Sequence, residues 1–225
     1  IGMASGITAG EILHYPVDRL DLIDINRQVV AASRFFRPWN NNVLSNPRTR
    51  LIIQDGRAHL ELTRETYDVI VSEPSNPWMA GLATLYTRDF FDLVRNRLND
   101  GGIFVQWVHS YQMDWDTFSM IGRTFQKVYP DGILVRTSDV TPDFLLIGFK
   151  GPRNVDLGTM ERNFIHQRKS RNMVLPNPVL LYQNILCEDL ARLFGEGPLH
   201  TDNHPRLEYS APKLMYHEDT TVLDT

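Results

Sequence analysis

Four short runs, at 20–25, 50–54, 67–72 and 102–108, are most of them nearly continuous in apolar residues. A strand buried on one face alternates apolar with polar. A continuous run signals cover on both faces, as in a parallel sheet flanked by helices. Helical stretches at 7–14, 27–36, 57–62, 87–98 and 115–128 separate the runs, and Pro16, Pro38 and Pro130 sit just past helix ends, where proline is tolerated. This strand–helix alternation predicts an α/β fold with a Rossmann-like, doubly wound sheet. Runs at 133–137 and 144–150 flank a polar stretch with Pro142 and predict an antiparallel pair closing one edge. After Gly151 the pattern turns to helices, at 157–169 and 178–194, and then to a polar tail without strands. The expected organisation is a sheet domain over 1–150 and a small C-terminal helical appendage over 151–225.

Composition narrows the function classes. With 42% hydrophobic and 22% charged residues, the 225-residue chain reads as an ordinary folded protein. A formal net charge of -4 gives no basic footprint for nucleic acid and suits a small cationic substrate. Cys187 is the single cysteine, so neither an internal disulfide nor a Cys-rich metal site is expected. The seven histidines show no HExxH-type spacing, and no metal is predicted. No apolar run approaches the ~20 residues of a membrane span, and no signal peptide opens the chain. The expectation is a cytoplasmic protein.

The loop Gly2-Met3-Ala4-Ser5-Gly6 sits where a strand turns into a helix, and its small residues let backbone approach a ligand. Asp24 ends the next strand eighteen positions beyond Gly6. That is near the roughly 20-residue spacing at which an acid meets ribose hydroxyls; the bland alternative is a helix N-cap. Asp55 ends the following strand beside Gly56 and can accept from an adenine amine, cap a helix, or do both. Glu73 follows the run 67–72 directly, and Pro74-Ser75-Asn76-Pro77-Trp78 continues it as a stiff loop at the ligand-binding edge of such folds. Asn40-Asn41-Asn42 reads as a turn placed where a lid would sit. Loop and acids favour a nucleoside ligand without choosing which one.

The order of this loop, Asp24-Ile25-Asn26, Asp55-Gly56-Arg57, Tyr67-Asp68-Val69-Ile70 and Leu85-Tyr86-Thr87-Arg88-Asp89-Phe90-Phe91 resembles the spermidine synthase family of polyamine aminopropyltransferases. The likeness covers 1–150 and is strongest between Pro47 and Phe91. Asn203-His204-Pro205-Arg206-Leu207-Glu208 is similar to long bacterial members in which such a domain follows a membrane-spanning region. The resemblance implies decarboxylated S-adenosylmethionine as co-substrate and a di- or polyamine as acceptor. It implies that Gly2, Ala4, Ser5 and Gly6 line the cofactor, Asp24 holds the ribose, and Asp55 with Gly56 holds the adenine. Glu73 stands where the family has the aspartate that deprotonates the amine, Asn76 where a second aspartate grips the polyamine, and Gln106 near a family glutamine.

Three departures follow from the same comparison. Ser5 replaces an acid near the amine tail of the cofactor, Asn76 removes a charge, and Glu73 is one methylene longer than the family residue. Two alternatives therefore stay open. One is a methyltransferase using intact S-adenosylmethionine, since Asn76-Pro77-Trp78 partly resembles the Asn-Pro-Pro-aromatic loop of amine methyltransferases. The other is a non-catalytic adenosyl-binding module attached to a membrane segment. Only Ile1 precedes the glycine loop, so the first strand reads as truncated. The expectations are a missing N-terminal segment, which would place the domain at the cytoplasmic face of a membrane, a homodimer in which a neighbouring chain fills the gap, or closure of the sheet across it.

Overall fold

The computed structural model describes residues 1–79, 81–138, 140–153, 157–167, 170, 172 and 182–214. They belong to two compact units, one of Ile1–His59 with Asn154–Tyr182, the other of Leu60–Arg153 with Gln183–Thr225.

In the first unit, strands β1 (Leu20–Asp24) and β2 (Thr49–Ile53) pair in parallel, from Leu20 opposite Thr49 to Asp24 opposite Ile53. Helix α1 (Ile7–Ile12) follows the glycine loop, and α2 (Arg27–Ala32) follows β1. Met3, Ala9, Leu13, Leu22, Val30 and Val43 form the buried apolar cluster between these elements. Asn40 is buried, and its Nδ2 donates to the carbonyls of Ser5 at 2.8 Å and Ser33 at 3.0 Å. A Cβ at Gly10 would stand 2.3 Å from the Asn40 carbonyl oxygen, so only glycine lets α1 lie this close. The residue read from sequence as part of a turn or lid is thus an internal tether of the loop. The guanidinium of Arg48 donates to the carbonyls of Leu13, Tyr15 and Val17, satisfying groups left open where α1 ends.

In the second unit, α3 (Gly56–Leu62), which begins in the first, leads to β3 (Tyr67–Ser72). Helix α4 (Arg88–Arg97), capped by the Thr87 hydroxyl, carries the chain to β4 (Leu98–His109), parallel to β3. Helix α5 (Trp115–Val128) is capped by Asp114 and precedes β5 (Ile133–Arg136) and β6 (Asp143–Phe149). Together with β7 (Ile185–Cys187) these strands form a five-stranded sheet in the order β3-β4-β6-β5-β7. Pairing beyond β4 is antiparallel throughout. Phe90, Phe91, Phe104, Phe125 and Tyr129 make its buried aromatic core, with ring centroids 4.9 to 6.4 Å apart. Chain-end elements α7 (Leu190–Phe194) and α8 (Arg206–Leu214) follow α6 (Leu157–Gln167) of the first unit. His200 anchors the tail: its ring touches the Ala83 carbonyl at 2.9 Å and accepts from the Leu207 amide at 3.3 Å.

The α/β class and the antiparallel pair agree with the expectation, and two details differ. The strands fall into two sheets, β1 with β2 in the first unit and β3 to β7 in the second; Gly2 contributes one bond, to the Ile23 carbonyl at 2.9 Å. The described part of 178–194 is not one continuous helix, since β7 stands between helical residues 182–183 and α7, and the polar tail contains α8. Among the described residues no helix is long and apolar enough to cross a membrane.

Candidate functional site

The glycine loop bends through left-handed backbone at Gly2 (φ 82°), Ala4 (φ 45°) and Gly6 (φ 79°), and the first and last are glycines because that region is cheap only for them. Asp24, at the end of β1, closes the loop. Its Oδ2 accepts from the Met3 amide at 2.8 Å and its Oδ1 from the Asn26 amide at 2.7 Å. The N-cap of α2 is Asn26, which accepts from Gln28 and Val29. Asp24 is therefore not the cap that the bland reading makes it, but the brace between loop and strand. Each of its carboxylate oxygens still has a second lone pair for a hydroxyl. Ser5 accepts weakly from the Ile7 amide at 3.4 Å.

Asp55 does cap its helix, accepting from the Ala58 amide at 2.8 Å, and is exposed. A Cβ at Gly56 would stand 2.3 Å from the Ile1 side chain, so the start of α3 touches the start of the chain. The first unit thus assembles Gly2, Ala4, Ser5, Gly6 and Asp24 in one loop, with Gly56 against the residue that begins it. The donor set suits a nucleoside: hydrogen-bond acceptors at strand ends beside backbone without bulky side chains.

The second unit carries the other candidates. Glu73 leaves β3 half-buried, and the following Pro74 is buried and fixes the chain behind it. Three residues on, the Asn76 Oδ1 accepts from the Tyr111 hydroxyl at 2.6 Å. Trp78 meets the rings of His109 and Tyr111 edge-on, at 4.8 and 5.8 Å, and those two rings stack at 3.9 Å. Tyr111 and His109 lie at the end of β4, so the aromatic wall is built by one strand end and one loop.

Buried polar atoms without partners collect here. Gln106 is fully buried opposite Ser72 in the β3–β4 register; its Nε2 donates to the Trp107 carbonyl at 3.0 Å. Its Oε1, the Ser72 and Ser110 hydroxyls and the His109 Nε2 have no hydrogen-bond partner of good geometry among the described residues. An orphaned buried polar atom costs roughly 1–3 kcal/mol and calls for an explanation, commonly a functional one. His109 donates from Nδ1 to the Tyr111 carbonyl at 3.0 Å, which leaves Nε2 as an acceptor. Burial lowers its pKa to about 4 against the smaller opposing pull of that bond, so the ring is neutral at pH 7. Burial raises the Tyr111 pKa, with the Asp143 charge adding to the shift and the bond with Asn76 opposing it. Glu73 was signalled by its strand-end position, and Asn76 and Gln106 by the family resemblance. The sequence reading missed Tyr111 and His109, whose clue is that they too follow an apolar strand at the same edge. Among the described residues no group of three His, Cys, Asp or Glu side chains could hold a metal ion.

The Spermine/spermidine synthase domain model matches residues 1–142. The chain belongs to that family. The polyamine aminopropyltransferase of Korarchaeum cryptofilum is 25% identical over 217 residues, covering 91% of this chain and 66% of that relative. Spermidine synthase from Thermotoga maritima superposes with a TM-score of 0.64 at 17% identity, over 86% of this chain and 65% of that one. A spermidine synthase in complex with the transition-state analogue AdoDATO gives a TM-score of 0.55 at 16% identity, over 95% of this chain and 64% of that one. These structural likenesses show the fold. The chain spans just under two thirds, or less, of the curated relatives it matches first.

Proposed function

We propose that this chain is the catalytic domain of an aminopropyltransferase, moving an aminopropyl group from decarboxylated S-adenosylmethionine to a small di- or polyamine. The observation that carries the reading is Glu73, a carboxylate set directly on the end of β3 and held by Pro74, beside a loop bonded to an aromatic wall. Bound decarboxylated S-adenosylmethionine supplies a carbon next to a positive sulfur, whose C–S bond breaks as an amine nitrogen attacks. The protein's part is to align that amine and take its proton. An alkyl amine has a pKa near that of lysine, about 10.4, and arrives protonated at neutral pH. Glu73 accepts the proton as a general base. Asp24 accepts from the ribose hydroxyls with its remaining lone pairs, and Asp55 with Gly56 takes the adenine edge. Gln106, buried near the same strand end, offers its Oε1 to the amine.

Methyl transfer is the less favoured reading. An Asn-Pro-aromatic loop orients a target nitrogen through the asparagine oxygen, and here Asn76 Oδ1 is engaged by Tyr111. The test is incubation of the full-length protein with decarboxylated S-adenosylmethionine and 1,4-diaminobutane, followed by mass analysis. Appearance of the aminopropylated amine together with methylthioadenosine supports the reading. A methylated amine formed from S-adenosylmethionine instead would replace it.

A further inference from the structure

The loop after β3 carries the neutral Asn76 where the resemblance would lead one to expect a carboxylate. The Tyr111 hydroxyl takes one lone pair of the Asn76 Oδ1, and the side chain has a second lone pair and its Nδ2 donor left to offer, but no charge. A neutral amide oxygen does not balance an ammonium charge. If the acceptor carries a second positive charge, its partner must come from elsewhere.

We propose that Asp143 supplies this second carboxylate, so that the site takes an amine bearing a distal cationic group; the proposal rests on the aminopropyl-transfer reading above. His109 and Asp143 are the last pair of the β4–β6 ladder. Directly opposed residues emerge on the same face with Cβ atoms about 4.5–5.5 Å apart. The His109 ring on that face stacks on Tyr111 and meets the edge of Trp78, so Asp143 starts beside the wall that carries Asn76. Its charge reaches the Tyr111 hydroxyl, where it adds to the upward pKa shift.

Asp143 is also uncommitted. Its backbone carbonyl accepts from the Thr137 amide at 3.1 Å and hydroxyl at 3.0 Å, which sets the strand start without using the side chain. The carboxylate has no hydrogen bond or salt bridge among the described residues, and the neutral His109 does not cancel it. An orphaned acceptor at His109 Nε2 and two aromatic rings complete surroundings that favour a cation. Asparagine at 143 would keep the backbone bonds and remove only the charge.

The test is calorimetric titration of the full-length protein, saturated with methylthioadenosine, with 1,4-diaminobutane and with butylamine. Asp143→Asn should weaken the diamine about ten- to hundred-fold, the range of a charged hydrogen bond, while butylamine and methylthioadenosine stay within twofold. Asp143→Glu should recover most of the loss. Unchanged diamine affinity in Asp143→Asn, or an equal loss for both amines, overturns the proposal. Failure of the parent protein to transfer an aminopropyl group to any amine would overturn the reading of the reaction, and the diamine titration would still decide Asp143.

Discussion

The Tyr111 hydroxyl donates to the Asn76 Oδ1 at 2.6 Å, joining the loop after β3 to the end of β4. Removing that hydroxyl frees the amide to rotate. Tyr111→Phe should raise KM for 1,4-diaminobutane about fivefold, the worth of one neutral hydrogen bond, and leave kcat within twofold. Steady-state kinetics separates the two constants. A fall in kcat with KM unchanged would place Tyr111 in the chemical step instead.

Asn76→Asp keeps an oxygen for Tyr111 and adds a second, charged one. Affinity for the diamine should rise by up to about tenfold and for butylamine by less, since an exposed charge pair is worth ~1 kcal/mol or less and a partly buried one more. Equilibrium binding with both amines is the measurement.

Glu73→Gln preserves shape but cannot take a proton. Turnover should fall by roughly 10²- to 10⁴-fold, the usual contribution of a positioned base, with methylthioadenosine affinity changed only a few-fold. Activity of the variant should climb as pH rises toward 10, because more amine arrives neutral. Equal turnover of variant and parent across several amines would remove Glu73 from the mechanism.

Asp24→Ala should act twice. Methylthioadenosine affinity should drop about 10- to 150-fold, from the loss of charged hydrogen bonds to the ribose. Stability should also fall by about 1–3 kcal/mol, because the Met3 and Asn26 amides lose their acceptor. Urea unfolding without ligand isolates the second effect. A stability loss with unchanged affinity would mark Asp24 as structural alone.

His109 links folding to acidity. Its pKa in the folded protein, lowered to about 4 by burial, lies below the unfolded value of 6.5. Between those values the unfolded chain binds a proton that the folded one refuses, so stability is full above pH 6.5 and lost as pH falls toward 4. The loss amounts to on the order of 3 kcal/mol at most. Urea unfolding at pH 7, 6, 5 and 4 should show this slope, and His109→Gln should flatten it.

Local pattern located much of this architecture. Run 67–72 and helix 115–128 coincide with β3 and α5, since one is continuously apolar and the other starts at an Asp cap. β4 runs longer than its apolar stretch, from Leu98 opposite Tyr67 of β3 to His109 opposite Asp143 of β6. Three residues of β7 are too few to show a period, and it exists through backbone pairing with β5. The acids at strand ends, Asp24, Asp55 and Glu73, were legible because chain order alone puts them there. Tyr111 and Asp143 were not, since it is the parallel pairing of β3 with β4 that brings Tyr111 to Asn76 and the antiparallel register of β4 with β6 that brings Asp143 to His109. α8 escaped notice because its buried stripe is only Leu207 and Ala211, followed by Pro212 inside the helix.

Asp24 holds the Met3 amide with one carboxylate oxygen and the Asn26 amide with the other. A side chain tethered at both oxygens has little rotamer freedom left to surrender, so a sugar hydroxyl docking on its spare lone pairs meets a preorganised acceptor. The ordering entropy of loop and acid belongs to folding and not to association. Under the proposed function, ligand selectivity at this corner should be governed by shape and hydroxyl placement, and a nucleoside lacking the ribose diol should gain nothing from the loop adapting around it.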